Sequence, residues 1–476
     1  MNYLFFDSET TDSNVNYLSI LQASFVLVDE RFKELDRLDL KCRLRPTVIP
    51  SCSALLVNNV TVEEMTKSNL SHFEMMIQIE NFLKKVQPFI MIGHNLIGFD
   101  RELLLRQLYK YLFPDIYLFN KLPNKAMDTL NITRAAKVIN DKSLNCELSE
   151  KNSFLFKLES LCKMNNITHE NSHSSIGDVI ANIGLAKLVQ NNSPDVWEAA
   201  TKTAHKSDTE KFLQKNKIYS FVAYFYGRAR LYCQTHLFNH PLYGWSISYD
   251  LRHDPEPLLK MGYGELQNAM KQSPKFLRTC KLNKSEVLLD KSYAMKEEPY
   301  NKISPDILEK RADMVRNNKQ FLELAQTILA DEAQSKKDND QSKEDLLPEE
   351  RIYADSFPSD HDKNLMTKFH SLKTWDDRIK LIDKFNDQKY NWFLKVLAYE
   401  EAPTLLPKGE YNEVHREFAK RLSSIDKERW TTFPMFYSEC DMWREKFDKQ
   451  GDAQKLELID KYNEYVMELQ KKFEAA

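Results

Sequence analysis

Residues 3–10 read Tyr3-Leu4-Phe5-Phe6-Asp7-Ser8-Glu9-Thr10, and no other stretch restricts the fold of this chain so strongly. Four apolar or aromatic residues that give way at once to acidic and hydroxylic ones describe a short buried strand emerging from a sheet. Side chains alternate along a strand, so Asp7 and Glu9 project to the same side, with backbones about 6–7 Å apart. Such a pair opens either a polar turn or a cage for a hard divalent cation, which takes carboxylate oxygen. A two-ion site, with its metals roughly 4 Å apart, needs further carboxylates from distant parts of the chain.

Residues 89–95 supply a second buried strand that runs into a loop, and Asp100 stands where the following helix begins. Asp is a favoured N-cap, yet an acid at a strand end also belongs near Asp7 if the two strands are neighbours. Farther on, Ser172-His173-Ser174-Ser175 precedes a helix with Asp178 in its first turn, where a carboxylate also favours the positive end of the helix dipole. His173 and Asp178 are five apart and would stand about 140° out of register on one helix. His173 is therefore expected in the loop ahead of it, free to lean over the same site.

With 476 residues, the chain exceeds what one hydrophobic core organises, and two or three domains are expected. Strands over 18–29 and 38–45 predict a meander with the first strand. A helix opens at Thr61 with Glu64 three residues on, a helix covers 71–85, a strand or turn lies at 125–130, and a helix spans 156–164. A polar connector from Asn191 past Pro194 leads to an aromatic, strand-like tract over 218–232. With 237–241, 244–251 and 281–289 it predicts a small β domain in which basic and aromatic residues interleave, a mixture suited to stacking on bases while neutralising phosphate. Residues 305–333 read helical, 330–350 as a charged helix end or linker, and the segments past Tyr353 as an all-helical unit.

A formal net charge of -3 makes any polyanion contact local. Seven scattered cysteines without a Cys-x-x-Cys pair predict reduced thiols, with neither a disulfide framework nor a structural zinc site. Only ten glycines and no nucleotide-loop fingerprint argue against a glycine-rich phosphate cradle. No apolar run approaches the ~20 residues of a membrane span and no secretory leader is visible, which predicts a cytoplasmic protein.

Asp7-x-Glu9, then Gly93-His94-Asn95 with Phe99-Asp100, then His173 with Asp178 resemble the three signature blocks of the DEDDh exonuclease superfamily. Within it, Phe156-Lys157-Leu158-Glu159-Ser160-Leu161, Phe225-Tyr226-Gly227-Arg228, Asn239-His240-Pro241, Asn283-Lys284 with Val287-Leu288, and the length resemble the bacterial exodeoxyribonuclease I family over essentially the whole chain. The resemblance implies an α/β architecture: an RNase H-like exonuclease domain with a mixed sheet at 1–190, an SH3-like β domain with a helical extension at 194–346, and an all-helical domain at 347–476.

It further implies a monomeric hydrolase that degrades single-stranded DNA processively from 3′ to 5′, releasing 5′-mononucleotides in repair and recombination. Catalysis is implied for Asp7, Glu9, Asp100, His173 and Asp178. Two magnesium ions, with manganese as a substitute, are implied on Asp7, Glu9, Asp100 and Asp178, and His173 is implied to accept a proton from water. Substrate contacts are implied at Glu9, Lys157, Tyr226, Arg228, Lys284 and Tyr353. Lys157 stands where the family commonly has Arg, and keeps the charge without the bidentate fork. The implied partner is the acidic C-terminal tail of single-stranded DNA-binding protein. Two other readings use parts of the same pattern: a 3′–5′ exoribonuclease of the superfamily, whose members are much shorter, and a non-catalytic single-strand-binding scaffold, which has no need of four carboxylates beside a polyanion.

Overall fold

The first strand, β1 (Asn2–Thr10), lies inside a five-stranded mixed sheet with β2 (Ile20–Val28), β3 (Glu34–Lys41), β4 (Phe89–Gly93) and β5 (Lys125–Asp128), in the order β3-β2-β1-β4-β5. β1 runs antiparallel to β2 and parallel to β4. The structure is a computed structural model and describes residues 1–170, 174–225, 227–339 and 345–474; His173 and Tyr226 lie outside the described residues.

Alternation along β1 divides the packing. Tyr3 and Phe5 join a cluster with Val26, Ile90 and Ile92. Helices Thr129–Ile139, Ser175–Asn192 and Pro194–Lys202 cover that face through residues such as Ile132, Val179 and Trp197. Leu4 and Phe6 join the opposite cluster with Phe25, Phe89 and Met91. There the cover is His72–Val86, Asp100–Lys110 and two helices from far down the chain, Asp360–Ser371 and Gln388–Glu401. The expected capping box forms at Thr61 with Glu64, and a second, not anticipated, at Ser71 with Glu74.

A second sheet comprises β6 (Tyr219–Phe225), β7 (Arg228–Asn239), β8 (Ser246–Asp250), β9 (Leu277–Cys280) and β10 (Leu288–Asp290), in the order β10-β6-β7-β8-β9 with every pair antiparallel. Its core merges with the first sheet's: Val222, Leu231 and Tyr249 belong to the cluster of Tyr3 and Phe5.

Four expectations shift. The strand predicted at 38–45 is centred earlier, and beyond Lys41 the backbone bonds to new partners, with Arg43 N donating to Leu70 O at 2.9 Å and Leu44 N to Met65 O at 2.8 Å. The connector expected around Pro194 is helical, because Pro occupies the first position of Pro194–Lys202, where no backbone donor is needed. The strand expected over 281–289 is a loop that reaches β10 only at Leu288. Past Tyr353, where an all-helical unit is expected, the helix Trp375–Ile379 gives way to turns before the next helix starts at Gln388.

The carboxy-terminal helices are anchored on the first hundred residues. Arg45 pairs with Glu400 at 3.0 Å, their side chains 10% and 3% exposed. Glu439 accepts from Cys52 N at 2.8 Å and also bonds Ser53 Oγ. Leu55, Val60 and Met65 share one core with Val414, Phe436 and Tyr462.

Candidate active site

β4 ends at Gly93 and pairs with β1 only up to Phe5, whereas β1 continues to Thr10. The last half of β1 thus has β2 along one edge and an opening along the other. A Cβ on Gly93 would lie 2.9 Å from Phe6 O and from Leu96 Cβ, so only glycine lets the chain turn this close to β1. Asn95 then adopts φ 68, a left-handed conformation that Asn tolerates, and the chain swings into the helix Asp100–Lys110.

Asp7 and Glu9 share the face of Tyr3 and Phe5, beneath the helix that carries Asp178 in its first turn. Carboxylate oxygens of Asp7, Glu9 and Asp178 lie within 4.8 Å of one another, the one such cluster among the described residues. Ser8 points the other way and donates to Asp100 Oδ1 at 2.6 Å. Asp100 is the first residue of its helix and Phe99 is the cap position, without a side-chain bond. The capping role open to this acid is therefore not the one it takes.

Burial and mutual repulsion make this group hard to ionise together. Burial, then the charges of Asp100, Asp178 and Glu9, hold the Asp7 carboxyl well above its ordinary value. Burial, then Asp178 and Asp100, push Glu9 up to about 8. Burial pushes Asp100 up to about 7 against the bond from Ser8. A crowded, all-oxygen donor set that resists its own charge fits a hard divalent cation, whose field reverses that cost.

The carboxylates have their own supports, which sequence reasoning missed. His169 Nε2 lies 2.6 Å from Asp178 Oδ1, and its side chain is 10% exposed. Ser24 donates to Asp39 Oδ1 at 2.7 Å and lies 2.6 Å from Ser175 Oγ, which ties the start of the Asp178 helix to β2. Asp128, at the end of β5, accepts from the amides of Asn95 (2.9 Å), Ile97 (3.0 Å) and Leu130 (3.0 Å). It thereby shapes the loop that leads to Asp100. Thr129 Oγ1 lies within hydrogen-bond distance of Gly93 O (3.0 Å) and of Asn182 Oδ1 (2.8 Å), one turn past Asp178. His94, which burial keeps neutral by lowering it to about 4, donates from Nε2 to Phe156 O at 2.7 Å and faces Thr129 through Nδ1.

The expected substrate residues are placed unequally. Lys284 Nζ lies 3.4 Å from Ile97 O, on the loop before Asp100. Tyr353 is 59% exposed, donates to Glu102 Oε2 at 2.7 Å and carries Arg106 over its ring at 5.3 Å. Lys157 and Arg228 are exposed outside the acidic cluster. Between the two sheets a cleft of about 540 Å³ is lined by Asn131, Arg134, Tyr224, Lys281 and Lys284. Arg134 sits 3.8 Å over the Tyr224 ring. This is a local basic and aromatic groove in a protein whose formal net charge is -3.

Residues 346–469 match the family described as the Exonuclease I C-terminal domain. The exodeoxyribonuclease I of Buchnera aphidicola subsp. Schizaphis graminum is 24% identical over 492 residues, covering 98% of this chain and 92% of the relative. In fold, the chain is similar to Escherichia coli Exonuclease I solved in complex with a dT13 oligonucleotide, at TM-score 0.81 and 19% identity over 98% of this chain and 99% of that one. An ExoI/SSB-Ct complex is similar at TM-score 0.78 and 19% identity, with the same coverage.

Proposed function

The chain belongs to the exodeoxyribonuclease I family, and from that premise we propose that Asp7, Glu9, Asp100 and Asp178 form the centre at which it hydrolyses single-stranded DNA from the 3′ end to 5′-mononucleotides. The observation that carries this assignment is the convergence of three carboxylates within 4.8 Å, with Asp100 bonded to the intervening Ser8.

Asp7, Glu9 and Asp178 are the residues that would hold one magnesium ion, and Asp7 with Asp100 a second. When bound, such ions polarise water and neutralise charge at the leaving 3′ oxygen. His173 is the proposed acceptor of the proton from the attacking water, a task that carboxylates engaged with metal cannot share. His169 bonds one oxygen of Asp178 and so fixes the orientation of that carboxylate beside Asp7 and Glu9. Asp128 holds the loop that presents Asp100. Lys284, Arg134 and Tyr224 line the cleft in which the strand is neutralised and stacked, and Glu9, Lys157, Tyr226, Arg228 and Tyr353 are proposed contacts along it.

The enclosing units make removal processive, and repair and recombination are the settings in which such trimming serves. The partner is the C-terminal tail of single-stranded DNA-binding protein. No described helix is long and apolar enough to cross a membrane. All seven cysteines are unpaired, which suits a reducing cytoplasm, the proposed location of a monomeric enzyme.

Purified protein incubated with magnesium and 3′-labelled single-stranded DNA should release labelled mononucleotide, and EDTA should stop it. Absence of release would overturn the assignment. A matched RNA oligonucleotide cut faster than the DNA would move it to an exoribonuclease.

A further inference from the structure

The loop 281–287 joins β9 to β10, at opposite edges of the second sheet, yet several of its polar groups bond residues at the end of the first sheet and on the elements that follow its strands. Arg101, next in sequence to Asp100 and 5% exposed, donates through Nη1 to Asn283 O at 3.0 Å. Lys284 Nζ reaches Ile97 O at 3.4 Å. Ser285 Oγ accepts from Asp128 N at 3.1 Å. Asn131 Nδ2 donates to Lys284 O at 3.0 Å and lies 3.4 Å from Ser285 O. Ser285 is buried and held at φ 52, a backbone conformation that a residue with a Cβ adopts only when its surroundings impose it.

These bonds converge on a small part of the nuclease. They end on Ile97 and Arg101, which flank the approach to Asp100, on Asp128, whose carboxylate organises that approach, and on Asn131 just beyond it. None of them falls on Asp7, Glu9 or Asp178. A loop serving only to hold a nucleic-acid strand would need no such ties, whereas this one, with Lys281 and Lys284 lining the cleft, also commits Ser285 Oγ and the carbonyls of 283–285 to residues around Asp100.

We propose that residues 283–285 are a brace through which the second sheet positions Asp100 relative to the other three carboxylates. The brace is a positioning element and touches neither reacting atoms nor metal. It deepens the exonuclease reading and rests on it for its consequence. Engagement of the second sheet, including anything that shifts it on filling the cleft, is transmitted to the catalytic loop by fixed hydrogen bonds, so strand binding and correct placement of Asp100 are coupled.

Two variants test this in the full-length protein. Ser285→Gly deletes the hydroxyl while making the left-handed backbone comfortable, so a loss cannot come from added backbone strain. Asn131→Ala removes the tie to Lys284 O and leaves Asp128 intact. In the metal-free protein, amide exchange of the peptide 93–101 should quicken by about tenfold in either variant, because the loop opens locally. With magnesium and saturating single-stranded DNA, turnover should fall by about tenfold, the scale of a small displacement of a reacting group. For Ser285→Gly, whose side chain is not among those lining the cleft, the DNA Kd, measured with calcium replacing magnesium, should stay within about twofold. Unchanged exchange and turnover in both variants would overturn the brace, as would a weakened Kd with turnover intact. If the unaltered protein fails to cut DNA the exonuclease reading falls, while the exchange measurement still judges the brace by itself.

Discussion

Replacing Glu9 by Gln should stabilise the metal-free protein at neutral and alkaline pH while ending catalysis. Glu9 is 8% exposed, and its carboxyl is moved from 4.5 to about 8 by burial and by the charges of Asp178 and Asp100. In the unfolded chain this acid loses its proton near 4.5. The folded protein keeps it to about 8 and so binds more protons across that window, and its stability must fall as pH rises through it. Below the window Glu9 adds no cost, and above it the cost is complete. A displacement of that size is worth at most roughly 5 kcal/mol, and about 2–5 kcal/mol with water at the rim of the site. Asp7 and Asp100 are displaced in the same direction and steepen the fall.

A divalent ion reverses the dependence. Held at the proposed site by the deprotonated carboxylates, it should gain affinity by about tenfold per pH unit below about pH 8. The assay is the thermal unfolding midpoint of the unaltered protein and of Glu9→Gln, in EDTA and in excess magnesium, at about pH 6, 7 and 8.5. In EDTA the unaltered protein should lose several degrees between the extremes and Glu9→Gln distinctly less. Magnesium should raise the unaltered protein most at the highest pH and the variant hardly at all. A variant no more stable than its parent in EDTA at about pH 8.5, or a magnesium shift independent of pH, would refute the view that these acids are crowded against their own charge.

With Asp100 in its proposed role, serving the reaction and not the grip, Asp100→Ala should reduce turnover by at least about a thousandfold and leave the DNA Kd within a few-fold; kinetics beside a binding titration decide it. His173→Ala should lower turnover by about 10²–10⁴ without altering the half-saturating magnesium concentration, whereas His169→Ala should raise that concentration about 10–100-fold by freeing Asp178. The opposite pattern would assign the base role to His169. Glu349→Ala leaves Arg421, 8% exposed and paired at 3.0 Å, with Glu417 as its remaining ionic partner, and should cost about 3 kcal/mol in denaturant unfolding.

The part of this site legible in sequence is the part set by local periodicity. Strand alternation places Asp7 and Glu9 on one side, and a serine cap with an acid three residues into its helix locates Asp178. Asp100 is visible as an acid at a strand-to-helix junction, although its partner, Ser8, is 92 residues away and leaves no local mark. Asp128 is invisible for the same reason: it reads as an ordinary strand-end acid, and the amides of Asn95 and Ile97 that define its task lie more than thirty residues upstream. His169 is hidden because its contact with Asp178, nine residues on, follows no strand or helix spacing. The loop 281–287 misreads as a strand because it runs straight into the apolar Val287-Leu288-Leu289, while the bonds of Asn283, Lys284 and Ser285 to the nuclease hold its backbone out of the ladder.

The anchoring of the carboxy-terminal helices on the first hundred residues also bears on how the chain is made. Arg45 must wait for Glu400, 355 residues later, which at the usual pace of translation is roughly 20–70 s. Throughout that interval Leu55, Val60 and Met65 have only the amino-terminal part of their core, such as Leu21, Leu44 and Ile49, because Val414, Phe436 and Tyr462, with which they also pack, are still unsynthesised. The amino-terminal portion emerges first yet is completed last, so a ribosome-released fragment carrying all four acids would expose sticky surface and call on chaperones rather than act as a small independent nuclease.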